Sequence, residues 1–269
     1  PSGVNYMHLI DHGRNHVEET YKRPLFDRLF RNILSLTLPK PNVFLFLVLA
    51  TKVMKPFSFI MPEFLRNSLK LMPNKIPSKK IKTQTVYPSE SKKTVARVAL
   101  LVGCVQRVIS PEINESTIRL LNRHDVEVVV LPKIDCCGSL NHHLGKKKLA
   151  HVSFAKNIEL WHEEYLKNGL DAIISNTSGC GTTLKDYGFI FRNNKELKKK
   201  AKKISELTKD ITEYLDEKLI LKIKNNNEKK YKIAYHSACS MQHGQKVHEQ
   251  PKNLIKQTGN IVLDVPEGH

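Results

Sequence analysis

The sequence has few cysteines and no long hydrophobic run. Its five cysteines all lie beyond position 100, which excludes a small secreted protein held together by disulfides and favours a reducing compartment. The most apolar stretch, residues 43–50, is far shorter than the roughly 20 residues of a membrane-spanning helix, and Lys52 interrupts its continuation. No signal peptide is recognisable. We therefore predict no transmembrane segment and a cytoplasmic protein, with the inner face of the cell membrane as an option.

Acidic residues are scarce relative to basic ones. The 269 residues include 44 Lys and Arg against 26 Asp and Glu, a net charge of +18. Such a charge suits nucleic acid, an anionic membrane or an acidic protein partner, and by itself it selects none of them. The chain has no Gly-rich phosphate loop and no aromatic residues interleaved with its lysines. We therefore predict that it does not bind nucleic acid.

Prolines interrupt the first part of the chain. They recur between positions 39 and 88, which predicts an irregular helical region over 21–94 in which proline breaks the helices. Residues 80–93 are polar and lack apolar periodicity, which is typical of a linker. The chain begins with proline instead of methionine and stops just after the apolar run at 261–265, so we interpret it as a fragment cut at both ends.

Residues 95–192 alternate between strand and helix patterns. Apolar runs at 98–102 and 172–174 and a β-branched run at 126–131 predict strands. Ser110 and Pro111 begin a helix that runs to about Arg123, and a second helix of about twenty residues ends near Asn168. The apolar stripe predicted for the second helix is Leu149, Val152, Ala155, Ile158, Trp161 and Tyr165. Strands that are apolar on both faces predict a doubly wound α/β module with a parallel sheet.

Two further segments follow this module. Apolar residues at alternating spacings of four and three predict one basic amphipathic helix over 195–215, within a helix-and-linker segment at 193–228. Residues 231–235 then predict a strand that runs into Cys239. The order of basic residue, strand, Cys and Gln at 97–106 recurs at 232–242, so we predict that 229–269 is the truncated start of a second module.

Four cysteines follow the predicted strands. Cys104 comes after the first strand, Cys136 and Cys137 after the second, and Cys180 after the third. Because the carboxyl ends of parallel strands share one edge of the sheet, these thiols should converge despite separations of 32 and 43 positions. Four thiols at one place indicate zinc or an iron–sulfur cluster. The adjacent pair fits one tetrahedral ion poorly and suits a larger cluster, which favours iron and sulfur.

Other interpretations of these residues stay open. A free cysteine is commonly a small buried hydrophobe. A vicinal disulfide between Cys136 and Cys137 is a second alternative, and a catalytic thiol paired with a histidine is a third, with His142, His143 and His236 as candidates. Glycines flank the cysteines, and they would let the backbone approach a bulky inorganic group closely.

The cysteine motifs resemble those of a known family. They are Gly103-Cys104-Val105-Gln106, Cys136-Cys137-Gly138-Ser139-Leu140, and Ser178-Gly179-Cys180-Gly181 with Lys185-Asp186-Tyr187-Gly188. Together they resemble the cysteine-rich "CCG" module of heterodisulfide reductase subunits and flavin-linked dehydrogenase partners, and most of all the glycolate oxidase (glycolate dehydrogenase) iron–sulfur subunits. Cys239 with Gln242-His243-Gly244 is similar to the start of that family's second module, and residues 1–20 are similar to the end of its two-cluster ferredoxin-like domain.

The resemblance implies an electron-transfer subunit without acid–base catalytic residues. It implies iron–sulfur clusters of the [4Fe–4S] type, with the ligands Cys104, Cys136, Cys137, Cys180 and Cys239. FAD would be bound by a partner subunit only, and electrons would pass through this chain to a quinone or another acceptor. Two alternatives remain: a heterodisulfide-reductase-like thiol enzyme, which a cleft beside Cys136 would favour, and an iron–sulfur subunit that serves lactate or glycerol 3-phosphate oxidation.

Overall fold

The computed structural model describes residues 4–70, 85–91, 93–134, 136–218 and 230–266. The strands are β1 Thr85–Tyr87, β2 Ala96–Leu101, β3 Val126–Val130, β4 Ala172–Ser175, β5 Thr208–Asp210, β6 Lys232–Tyr235 and β7 Ile261–Asp264. The α-helices are α1 Tyr6–Thr20, α2 Leu25–Thr37, α3 Pro41–Met54, α4 Glu63–Lys70, α5 Gln106–Ile109, α6 Pro111–Arg123, α7 Ser139–His143, α8 Lys147–Asn168, α9 Ser178–Lys185, α10 Tyr187–Ile190, α11 Lys198–Leu207, α12 Ile211–Lys218 and α13 Glu249–Gln257.

The central sheet has five strands in the order β1-β3-β2-β4-β5. Strands β2 to β5 pair in parallel, and β1 pairs with β3 antiparallel at one edge. Side chains alternate between the two faces along β2: Val98 and Leu100 enter one apolar cluster, and Ala99 and Leu101 enter the other. The predicted α/β class is thus confirmed, with an antiparallel edge strand added to the parallel sheet.

Helices cover both faces of this sheet. On one face α8 and α11 contribute Phe154, Trp161 and Ile204, all of them buried. On the other face α6 and α12 contribute Leu121 and Tyr214. Two separate apolar layers therefore enclose the strands, the arrangement that an apolar strand sequence requires.

The face that α8 turns to the core differs from the predicted stripe. Ile158 and Trp161 are buried as expected, but Leu149 and Val152 are exposed, and Phe154 is fully buried in their place. The helix contacts the sheet through the row at 150, 154, 158 and 161, whose spacings of four, four and three keep one face of a helix toward the sheet. The predicted stripe begins with a spacing of three, from Leu149 to Val152. These two side chains lie outside the face that contacts the sheet.

The single helix predicted over 195–215 is wrong. Thr208–Asp210 forms β5, which pairs with the free edge of β4 and separates α11 from α12. The apolar periodicity continues across the break because Thr208 is buried in the strand just as it would be in a helix. Residues 208–218 thus extend the same α/β unit, whereas residues 219–228 of the predicted linker lie outside the described residues. Likewise, β1 occupies part of the polar stretch that was predicted to be a linker.

The N-terminal region consists of helices separated by prolines, as predicted. Pro24 precedes α2, and Pro41 is the first residue of α3. A 3₁₀ helix, Lys55–Ile60, continues α3, so that Pro41–Ile60 forms 20 helical residues with a mean hydropathy of 1.8 and 11% burial. By length and composition alone this helix is sufficient to cross a membrane, and it is longer than the apolar run recognised in the sequence. One such helix is weak evidence for a span, and no clear transmembrane segment is present among the described residues.

Residues 230–266 form a small β–α–β unit. Strands β6 and β7 pair in parallel, and α13 connects them after a π-helix, Ser240–Gln245. Strand β6 lies where the sequence predicts it, and β7 coincides with the apolar run at 261–265. Cys239 follows β6 by four residues, just as Cys104 follows β2 by three.

Candidate metal centre

Four of the five predicted site cysteines lie at the carboxyl-terminal edge of the parallel strands. Cys104 follows β2, Cys136 and Cys137 follow β3, and Cys180 lies in the first turn of α9, just after β4. Since β2 lies between β3 and β4 in the sheet, the three segments are neighbours in space. The parallel topology therefore brings together residues that are far apart in the sequence.

The four thiols form a continuous row. The Cys137 and Cys180 Sγ atoms lie 3.1 Å apart. Cys136 forms side-chain hydrogen bonds with Cys104 on one side and with Cys137 on the other. The order of contact is therefore Cys104, Cys136, Cys137 and Cys180.

This environment opposes ionisation of the thiols. A hydrogen bond with Cys136, together with burial, raises the pKa of Cys104 far above its usual value. For Cys136 the bond with Cys104 lowers the pKa, but the bond with Cys137 and burial raise it, to a net value of about 12. The pKa of the fully buried Cys137 is likewise well raised: its bond with Cys136 lowers it, but its bond with Cys180 and burial outweigh that effect. Thiolates here need a strong positive charge beside them, as a metal centre supplies.

The donor set of the row fits an iron–sulfur cluster. Four cysteine thiolates are the usual ligands of such a cluster. Among the described residues, no group of three or more His, Cys, Asp or Glu side chains is arranged around a single metal ion.

Backbone amides also point at the sulfur atoms. The Gly138 amide lies 3.3 Å from Cys136 Sγ, and the Ser139 amide lies 3.5 Å from Cys137 Sγ. Gly138 has a φ of 83°, and a Cβ atom there would come within 2.5 Å of the Phe154 ring. Glycine is therefore required for both the turn and the close packing beneath the cysteine pair.

Two buried polar residues hydrogen bond to the backbone carbonyls of the cysteine pair. Asn157 Nδ2 donates to the Cys136 carbonyl at 2.8 Å, and the Tyr187 hydroxyl donates to the Cys137 carbonyl at 2.6 Å. Asn157 Nδ2 also donates to the Tyr187 hydroxyl at 3.2 Å. Asn157 was missed in the sequence analysis, although a polar residue within the apolar row of α8 was a signal that could have found it.

A second polar network joins the loops after β2 and β4. Gln106 Nε2 donates to Asn114 and Asn176, and Thr177 Oγ1 donates to Gln106 Oε1 at 2.7 Å. Asn114 Nδ2 donates in turn to the Val102 carbonyl at 2.9 Å. The network fixes the segments that carry Cys104 and Cys180 relative to each other. Of these residues, only Gln106 lies in a motif that was recognised from the sequence.

The candidate base histidines have a different partner. His142 and His143 hydrogen bond to Asp11 of α1, at 3.0 Å and 3.3 Å. Burial alone would raise the pKa of Asp11, but these hydrogen bonds hold it well below its usual value. Both rings thus bind α1 to α7. Cys136 and Cys137 hydrogen bond to other cysteines, so the catalytic Cys–His pair with His142 or His143 is not formed.

Cys239 differs from the other four. Its side chain is exposed, and it precedes the π-helix. This segment contacts α9, where Thr182 Oγ1 donates to the Ser240 carbonyl at 2.9 Å and Gln245 Nε2 donates to the Ser178 carbonyl at 3.0 Å. The second unit therefore packs beside the Cys180 helix, while Cys239 faces solvent.

Comparisons with known proteins agree with this cysteine pattern. A family model for the cysteine-rich domain called CCG matches residues 98–185. The glycolate oxidase iron–sulfur subunit of Escherichia coli K12 is 34% identical over 269 residues, which are 100% of this chain and 62% of that protein. A probable glycolate oxidase iron–sulfur subunit of Bacillus subtilis is 26% identical over 95% of the chain and 60% of its own length.

A third relative has another name. Lactate utilization protein A of a Geobacillus strain is 25% identical over 62% of this chain and 67% of its own length. The chain spans about three fifths of the length of the two glycolate oxidase relatives that it matches.

Proposed function

We propose that this chain, whose residues 98–185 match the cysteine-rich CCG domain, is the iron–sulfur subunit of a glycolate oxidase complex. It would carry electrons from the flavin of a partner subunit to a quinone or another acceptor. The observation that supports this most is the row of four contacting thiols at the edge of the sheet. The 34% sequence identity to a glycolate oxidase iron–sulfur subunit, which extends over the whole chain, supports the choice of complex.

We propose that Cys104, Cys136, Cys137 and Cys180 bind one cluster of the [4Fe–4S] type. When bound, the cluster supplies one-electron chemistry. The protein supplies four thiolates, and the amides of Gly138 and Ser139 donate toward two of them, which stabilises negative charge on sulfur. Asn157 and Tyr187 hold the cysteine backbone rigid. In this proposal no side chain of the chain acts as an acid or base, and FAD is bound by the partner.

We propose that Cys239 belongs to a second module that begins at β6. The support is the recurrence of strand, cysteine and parallel crossover in a separate two-stranded sheet. In this proposal the exposed Cys239 thiol would bind a different cluster from the row of four.

We also propose peripheral association with the inner face of the cell membrane. Helix α2 turns its polar side inward: Ser35 Oγ donates to Asn141 Oδ1 at 2.6 Å, and Arg31 donates to the Leu144 carbonyl at 2.8 Å. Its outward side carries Leu25, Leu29, Ile33 and Leu36, which are exposed at a spacing of three to four. An outward apolar face on an amphipathic helix suits the lipid interface.

The charge around this face supports a lipid partner. Residues 24–62 contain five basic residues and one acidic residue, Asp27. Helix α3 adds the exposed Phe46, Leu49 and Val53 beside Lys52. A surface of apolar side chains bordered by lysine and arginine complements an anionic leaflet.

Replacement of single cysteines tests the cluster assignment. In the full-length subunit assembled with its flavin partner, we expect Cys136→Ala or Cys180→Ala to lower the iron content and to remove one electron paramagnetic resonance signal that glycolate reduces. Cys239→Ser is the matched control, for which this signal should persist. Unchanged iron and an unchanged signal in both row variants would refute the assignment.

A thiol–disulfide enzyme is the less supported alternative. A cleft beside Cys136 would favour such an enzyme, and a cavity does reach this residue. However, the raised pKa values of Cys136 and Cys137 leave these thiols protonated and weakly nucleophilic in the absence of a metal. The three relatives described above are named for glycolate oxidation and lactate utilisation. Within our proposal, lactate stays the alternative hydroxy acid.

A further inference from the structure

A cavity of about 390 Å³ reaches the row of thiols. It lies among α2, α7 and α8, and Cys136 forms part of its wall. Cavities that bind small molecules typically measure about 300–1,000 Å³. The volume therefore suffices for a molecule the size of a substituted ring, held next to the second thiol of the row.

Most of the wall surface is apolar, and among its polar side chains Asn141 offers a free donor. Leu36 and Pro39 line one side, and Leu149 and Val152 of α8 line another. Asn141, also in the wall, accepts a hydrogen bond from Ser35 through Oδ1. Among the described residues the Asn141 Nδ2 group has no acceptor, which leaves a donor for a carbonyl oxygen of a ligand.

Three lysines surround the cavity. Lys40, Lys133 and Lys156 line it and are exposed, and none of them forms an ion pair with a carboxylate of the described chain. Their ammonium groups stabilise negative charge that develops on a ligand oxygen, and they can donate protons to it. A cationic ligand would be repelled.

We propose that this cavity binds the head group of a lipid-soluble quinone and is the site where the quinone is reduced. The inference rests on the proposed function for its source of electrons. Reduction of the quinone to the quinol takes two electrons and two protons. The electrons come from the reduced flavin of the partner subunit, one at a time, and the protons come from water by way of the lysines at the rim.

The position of the cavity favours a quinone over a water-soluble anionic disulfide. Leu36 lines the cavity and also belongs to the apolar outward face of α2. If that face lies on the bilayer, a quinone can enter the cavity while its tail stays in lipid. An anionic disulfide would gain from the lysines but would lose hydration against the apolar wall.

The test uses the full-length subunit and a photoreactive azidoquinone with a short isoprenoid tail. After illumination, mass spectrometry should find the label on peptides that contain Leu36–Lys40 or Leu149–Asn157, and decylquinone should displace it. Val152→Trp fills the cavity from an exposed position, with 69% of Val152 accessible. We expect this variant to bind decylquinone about tenfold more weakly or worse, a loss of about 1.4 kcal/mol or more.

Leu166→Trp is the matched control, because Leu166 lies on the same helix and is 70% exposed, but does not line the cavity. Its quinone affinity should equal that of the unmodified chain. Label elsewhere, unaltered affinity in Val152→Trp, or displacement by glutathione disulfide instead of decylquinone would overturn the proposal.

The two proposals can fail separately. A subunit with full iron content and a cluster that the flavin partner reduces, but without quinone labelling of the cavity, would refute the quinone site and leave the electron-transfer function intact. A subunit that binds the quinone in the cavity but incorporates no iron would refute the proposed function instead.

Discussion

Substitution of Gly138 by alanine should damage the cysteine site through one identifiable contact. Gly138 has a φ of 83°, a left-handed conformation that costs an L-residue about 1–2 kcal/mol. The new Cβ would also lie 2.5 Å from Cε1 and 2.7 Å from Cδ1 of Phe154, which is fully buried. Overpacking of this kind typically costs a further 1–3 kcal/mol, or about 2–5 kcal/mol in total.

Thermal unfolding followed by circular dichroism measures this cost. For a chain of this size, each kcal/mol lowers the melting temperature by roughly 2–4 °C. Iron content should fall together with stability, because the Gly138 amide that faces Cys136 Sγ moves with the turn. Gly103→Ala is the matched control: Gly103 has a φ of 71°, and its added Cβ would meet its nearest neighbour at 3.7 Å. It should show only the backbone cost of about 1–2 kcal/mol.

A double-mutant cycle isolates the Phe154 contact. In a Phe154→Leu background, which removes the ring, Gly138→Ala should cost less than it does in the native chain. If Gly138→Ala proved no worse than Gly103→Ala, or if its cost were the same with and without the ring, the packing explanation would be refuted.

Three shorter predictions concern other parts of the molecule. The Asp11 carboxylate, whose pKa is lowered in the folded state, stabilises the fold fully above about pH 4 and progressively less as the pH falls below that value. Asp11→Asn should therefore lower the free energy of unfolding by about 1–3 kcal/mol at pH 7. Melting curves of the variant and the native chain from pH 7 to 3 should show this difference in stability shrink below pH 4. A difference that stays constant with pH would contradict the role of the carboxylate. Leu29→Glu should weaken cosedimentation with anionic vesicles, whereas Leu166→Glu should not; equal loss in both would argue against α2 as the lipid contact. Cys239→Ser should leave the melting temperature within about 1 °C of the native value, because exposed positions contribute little stability, and a large fall would indicate that Cys239 has a buried partner.

The strands and the convergence of the cysteines could be predicted because both follow from local pattern and topology. The apolar runs that became β2, β3 and β4 are long enough to be recognised, and each is followed by a cysteine. Parallel pairing then leaves only one edge at which the thiols can lie. By contrast, β1 and β5 have three residues each, and they exist because the edges of β3 and β4 offer backbone hydrogen bonds. Nothing within three residues reveals such a distant partner.

What the sequence determined by itself, then, is the α/β class, the order of its main elements and the shared edge of Cys104, Cys136, Cys137 and Cys180. Only the tertiary structure decided which side of α2 faces outward, because its amphipathic pattern defines two sides without orienting them, and the partners of Ser35 and Arg31 lie more than a hundred residues away. The cavity beside Cys136 was decided in the same way. Its walls come from three helices, the connection between α2 and α3 and the loop after β3. A space between elements has no residue of its own to mark it in the sequence.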